Sequence, residues 1–199
     1  MKRKKITIIL FLLLSIISCH IYTPNEIIEK GNRIKDEYQI QLKTLIEYSN
    51  NLAKDSCTIY SIYTSPKTEL FEFSIYNYDK KENKFIESFL DVSNKSKNVI
   101  QSILPKKHIT NVIFTKNVYA AFNIRHTRDK EFHYAKLIYC HNKEFFKKLF
   151  INYTFYEENQ INNINDTCNW VYFYDDHWAI TTSSVLYKLT KEECKNLIK

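Results

Sequence analysis

Glycine is nearly missing from this chain: one residue in 199, alongside three prolines and a single methionine. Phosphate-cradling loops and dinucleotide fingerprints need glycines at fixed spacing so that backbone can approach a pyrophosphate closely. The shortage excludes nucleotide sites of those designs. Also missing are a Gly-x-Ser-x-Gly elbow, a pair of histidines at i and i+4, and any Cys-x-x-Cys or Cys-x-x-His spacing. The first would present a serine nucleophile and the others would hold zinc. No cofactor or metal is implied. A membrane-spanning helix needs about 20 apolar residues. The apolar stretch Ile6 to Ile17 falls short, being broken by Thr7 and Ser15 and followed by the polar Ser18.

That stretch follows four basic residues, Lys2 to Lys5. A charged segment leading into an apolar run of this length reads as an export signal peptide. Its end, Ile16-Ile17-Ser18-Cys19, resembles the lipobox of bacterial lipoproteins, with an apolar residue three before the cysteine and a small one just before it. The resemblance covers only this segment. It implies cleavage before Cys19 and diacylglycerol on the Cys19 thiol, giving a palmitate-like membrane anchor. One acyl chain holds weakly, at about 0.8 kcal/mol per buried methylene, whereas two or three make attachment lasting. His20 is not the aspartate that marks inner-membrane retention in many such proteins, so the expected address is the cell envelope, at the outer membrane where there is one. The expected organisation is a signal peptide over 1–18, a lipidated tether over 19–23 and a single domain over 24–199.

Removing residues 1–18 takes four positive charges and leaves 25 basic against 22 acidic side chains, a net of +3. The basic balance of the full chain is therefore largely signal peptide. What remains gives no support for nucleic acid as a partner, since such proteins concentrate Lys and Arg on one face. Tyrosine and phenylalanine are plentiful, at 15 and 13. With Ile, Lys and Asn they are residues that AT-rich codons specify, which warns against reading every ring as a binding residue.

Besides Cys19 the chain has Cys57, Cys140, Cys168 and Cys194. An even number in an exported chain favours disulfides, with three connectivities open. The favoured pairing joins Cys168 to Cys194 and Cys57 to Cys140.

Thr23-Pro24-Asn25-Glu26 has capping-box spacing with proline at the first helical position. It opens a long helix over 24–54, whose apolar or small residues fall on one stripe: Ile27, Gly31, Ile34, Tyr38, Leu42, Leu45, Ser49 and Leu52. Gly31 within the stripe implies a close approach. Strands follow over 58–63, 69–77 and 84–92. Ser93 then caps a short helix that must end before Pro105. Further strands are expected over 110–115, 118–125, 132–140, 150–156, 170–174 and 178–183. A second capping box, Thr190 to Glu193, opens a short last helix. The order predicts an α+β domain: a long N-terminal helix packed on a curved antiparallel sheet, with short middle and C-terminal helices.

Chemistry is harder to find. None of His108, His126, His133, His141 or His177 sits in a catalytic motif. Asp175-Asp176 would suit acid–base work on glycans if paired across a bond, but adjacent residues on a turn point apart. The most suggestive cluster is Trp170, Tyr172 and Tyr174 alternating along one strand, followed by His177 and Trp178. Exposed, this row would stack on sugars or a protein surface. Val171 and Phe173 are also apolar, so the strand instead reads as buried on both faces. The functional reading is a non-catalytic envelope lipoprotein that binds a protein or glycan partner, as an inhibitor or immunity factor would. The competing reading is an envelope hydrolase with an unrecognised site.

Overall fold

The computed structural model describes residues 23–55, 57–64, 71–79, 82, 84–124, 135–140, 143–150, 153–157, 160, 164 and 170–182. The expected signal peptide and expected closing helix, with Cys19, Cys168 and Cys194, lie outside the described residues. Among the described residues no helix is long and apolar enough to cross a membrane.

Helix α1 spans Pro24–Leu52 and begins where its caps dictate. Thr23 Oγ1 accepts from the Glu26 N–H at 3.3 Å, and the Thr23 N–H donates to Glu26 Oε2 at 2.7 Å. Two donors that the first turn would leave unpaired are thereby satisfied. The stripe read from the sequence is the face that packs. Ile27, Gly31, Ile34, Leu42, Leu45 and Ser49 are buried, while Tyr38 and Leu52 are half-buried against the core.

The strands are β1 (Ile59–Thr64), β2 (Phe71–Asp79), β3 (Lys84–Phe89), β4 (Ile109–Thr115), β5 (Tyr119–Ile124), β6 (Lys136–Cys140), β7 (Thr154–Tyr156), β8 (Trp170–Phe173) and β9 (Trp178–Thr181). They form one nine-stranded sheet in the order β3-β2-β1-β4-β5-β6-β9-β8-β7. Helix α2, Asn94–Ile103, carries the chain from the β3 edge back to β4. It is capped by Ser93, and Leu104 ahead of Pro105 is extended at φ −63° and ψ 123°. That is the geometry the proline ring imposes on its predecessor.

The architecture is the expected α+β one, a long helix and a sheet with short helices, with two departures. The sheet is mixed, because β7 pairs parallel to β8. A parallel pair needs a crossover of about a dozen residues or more, and the separation of Tyr156 from Trp170 provides it. The second departure is helix α3, Lys143–Leu149, which the sequence reading leaves without an element. Seven residues are too few to display a period, and its formation rests on burying Phe146.

Both faces of the sheet are covered over its β6, β9 and β8 half. One core gathers α1, Leu137, Trp170, Tyr172 and Ile180; the other gathers Ile138, Cys140, Phe146, Val171, Phe173 and Ala179 beneath α3. Strands buried on two sides lose the apolar–polar alternation of a half-exposed sheet, as in Trp-Val-Tyr-Phe of β8.

The Cys57–Cys140 pairing is overturned. Cys140 ends β6 as a free, fully buried thiol. Its side chain shares the α3 side of the sheet with Ile138, and burial there pushes its pKa well up. Cys57 is disulfide-bonded, and so not to Cys140.

Candidate functional site

The five residues singled out near the C-terminus separate into core and surface. Trp170, Tyr172 and Trp178 are buried, at 1%, 4% and 1% exposure. As a surface patch the row is therefore corrected: period-2 spacing turns the rings to the face that α1 covers, and they belong to the main core. Tyr174 is half-buried at the helix, where its hydroxyl donates to the Ile28 carbonyl at 2.5 Å. Burial pushes its phenol far above the usual range, so it remains a donor. Of the five, only His177 is exposed.

His177 stands in the turn between β8 and β9. Asp175 Oδ1 accepts from the backbone N–H of His177 and of Trp178, both at 2.8 Å. This carboxylate thus builds the turn, as the sequence suggests for an adjacent acidic pair at a hairpin tip. Lys35 of α1 lies 3.8 Å from the other Asp175 oxygen and 5.2 Å from the Tyr174 ring centroid. The turn is pinned to the helix from two sides.

Behind the turn, β6 supplies a residue that sequence reasoning does not single out. Tyr139 is half-buried and stacks on the His177 ring, with centroids 5.8 Å apart and planes at 24°. Its ring also meets the edge of the buried Trp178 at 5.0 Å. Lys43 of α1 is 6.0 Å from the Tyr139 centroid, within cation–π reach. The His177 Nδ1 lies 3.1 Å from the Cys140 carbonyl. In the neutral ring that contact places the proton on Nδ1 and leaves Nε2 as an acceptor. Next to Tyr139 a small open groove is lined by Ile46, Asn50, Asn117, Val118 and Tyr119. Asn117 takes a positive φ of 59° there, and its N–H donates to Asn50 Oδ1 at 3.3 Å.

The result is a corner where α1 meets the ends of β6 and β9. It offers one half-buried aromatic ring, a histidine acceptor, a lysine and two side-chain amides. Burial chiefly, with the neighbouring Cys140, Glu47 and Asp175, raises the Tyr139 pKa. Its hydroxyl stays protonated and suits hydrogen bonding. Ring faces flanked by a cation and amides suit non-covalent recognition of sugars or protein side chains. His108 is half-buried against Tyr38 at 5.3 Å, away from any carboxylate partner the described residues give it. Among the described residues no cluster of His, Cys, Asp and Glu has metal-binding geometry. His126, His133 and His141 lie outside the described residues. Sequence singles out His177 alone of this corner, because Tyr139, His177 and Lys43 come from three separate elements.

No family model matches this chain, and no curated protein or solved structure is significantly similar to it.

Proposed function

We propose that this protein is an envelope lipoprotein, exported under its signal peptide, cleaved before Cys19 and tethered by lipid on that cysteine. Its domain acts without catalysis, binding a protein or glycan partner in the envelope as an inhibitor or immunity factor does. The observation behind the anchor is the Ser18-Cys19 junction at the end of the apolar run. The observation behind binding is the half-buried Tyr139 ring in contact with His177 and within cation–π reach of Lys43. Rings held by neighbours lose little side-chain entropy on contact, which favours them as binding anchors.

Three experiments test the reading. Intact mass of the membrane-extracted protein should show a chain starting at Cys19 with added acyl mass. Cys19→Ser should move the protein out of the membrane fraction; sedimentation unchanged by that substitution would end the lipoprotein reading. For binding, a photoreactive amino acid at position 139 should cross-link one envelope component. Cross-linking at position 40, on the exposed back of α1, serves as control. Equal products from both positions would remove the corner as the binding surface.

A further inference from the structure

The sheet ends on an edge that nothing in the fold protects. Strand β3 is its outermost strand, and among the described residues no strand pairs with its outer side. The Leu90 N–H, just past β3, donates to the Phe73 carbonyl at 2.7 Å. Bonded and non-bonded pairs alternate along an antiparallel ladder, and the β2–β3 register runs without a shift from Phe89 opposite Ser74 to Lys84 opposite Asp79. Ser88, Ile86 and Lys84 therefore turn their backbone groups to β2, whereas Phe85, Glu87 and Phe89 turn theirs off the sheet. The side chains here are open to solvent too. Ile86 is 43% and Phe89 66% exposed, and Glu87 and Ser88 between them are exposed. Ile86 shares the α1 face with Ile75, and Phe89 lies on the opposite face with Ser74. Proteins blunt such edges with proline, bulges, charges or very short strands. β3 has six residues, no proline and no bulge. Its one lysine is the first residue, and its one acidic side chain is drawn back to β2, where Ser74 Oγ donates to Glu87 Oε1 at 2.6 Å. At the other end of the sheet β7 is kept to three residues.

We propose that β3 is a self-association edge, pairing antiparallel with β3 of a second copy about a two-fold axis at Ile86 and joining two nine-stranded sheets edge to edge. A second copy is the occupant because the strand matches itself. The two-fold sets Phe85 and Glu87 of one copy opposite Glu87 and Phe85 of the other, and each of these pairs exchanges both of its backbone hydrogen bonds. Between them Ile86 meets its own symmetry mate as a non-bonded pair, Cα atoms about 4.5 Å apart, the separation at which side chains come closest. Lys84 falls opposite Ser88. Neighbouring registers are worse. An axis at Glu87 sets two carboxylates directly opposite, which is destabilising. One at Ser88 requires Leu90, which is past the end of β3 and packed on the main core. One at Phe85 runs out of strand, since β3 begins at Lys84. A symmetric contact also covers the same exposed edge on both molecules at once. With six residues a side it belongs to the small, reversible class of interface. It is separate from the Tyr139 corner on β6 and from the lipid anchor.

The test follows the full chain in detergent by sedimentation equilibrium over a range of concentrations. Wild type should pass from monomer to dimer. Glu87→Pro removes an N–H that points off the sheet, the one place where an edge strand accepts proline. It should keep the wild-type circular dichroism and weaken the dimer by roughly tenfold or more, the loss expected of two symmetry-related backbone bonds. Ile86→Cys should form a symmetric disulfide under mild oxidation, since the Cα separation at that pair lies in the disulfide range. Ser88→Cys, opposite Lys84, should not, and peptide mapping identifies the linked residue. A chain that stays monomeric to millimolar concentration would overturn the proposal, and so would a dimer indifferent to Glu87→Pro or equal linking through positions 86 and 88. Should Glu87→Pro fail to fold, the comparison of Ile86→Cys with Ser88→Cys decides the matter alone, because both side chains are exposed and their replacement leaves the backbone groups in place.

Discussion

Tyr174 and Gly31 occupy each other's space: the Tyr174 hydroxyl, donating to the Ile28 carbonyl, lies where a β-carbon on Gly31 would project. The same β-carbon would run into Cδ1 of Ile180. The glycine that the stripe on α1 marks as a close approach is thus the seat of the β8–β9 turn against the helix. Gly31→Ala should gain about 1 kcal/mol in helix propensity. It should lose more to overpacking, which costs roughly 1–3 kcal/mol in a filled core. Urea unfolding should therefore give a net loss. In Tyr174→Phe, which lacks the obstructing oxygen, the alanine should cost measurably less, the non-additivity expected of residues in contact. Additive losses would refute the contact.

Cys140 should be chemically silent. Its thiol is fully buried and its pKa is raised, so little thiolate is available to attack. Peptide mapping after alkylation should find Cys140 unmodified in the native protein and modified once denaturant is present. Modification under native conditions, or a disulfide at this residue, would contradict its position beneath α3.

Lys136 makes stability depend on pH with a definite sign. Its folded pKa of about 8 lies below the ordinary 10.5, so between these values the unfolded chain binds more protons than the folded one. Stability should therefore rise with pH across roughly 8 to 10.5, by an amount on the order of 3 kcal/mol for this group in chloride buffer. Lys136→Met should be more stable than wild type at pH 7, with the advantage vanishing as pH approaches 10.5. Chemical denaturation of both proteins at several pH values measures the difference. A parallel pair of curves would show that Lys136 is not desolvated in the fold.

Phe146 is the plug of the second core. It is fully buried and meets Phe173 edge-on, with centroids 5.1 Å apart. Phe146→Ala should cost about 3–5 kcal/mol. On the other side of the sheet Trp170→Ala should cost a similar amount, because its indole is core and not surface. A Trp170→Ala protein of unchanged stability would restore the exposed-row reading that the burial excludes.

Local chemistry was legible in the sequence wherever the cause is local. Thr23, Pro24 and Glu26 set the start of α1, Ser93 and Pro105 bound α2, and the stripe from Ile27 to Leu52 names the buried face, because capping and helical period act within a few residues. The turn at Asp175 is of the same kind. Strand positions followed from β-branched and aromatic runs, with edges shifted by a residue or more.

What only the tertiary structure decided depends on contacts distant in sequence. The parallel pairing of β7, the existence of α3, and the free thiol of Cys140 all follow from what lies across the sheet. So does the fate of the rings: Trp170 and Tyr172 could face solvent or helix with the same alternation, and only α1 lying over them settles it. Tyr139 and His177 meet because β6 and β9 are neighbours, and Lys136 is buried because β5 and β9 flank it. Patterning fixes which residues share a face, whereas burial energy, summed over partners far along the chain, fixes which face is inside.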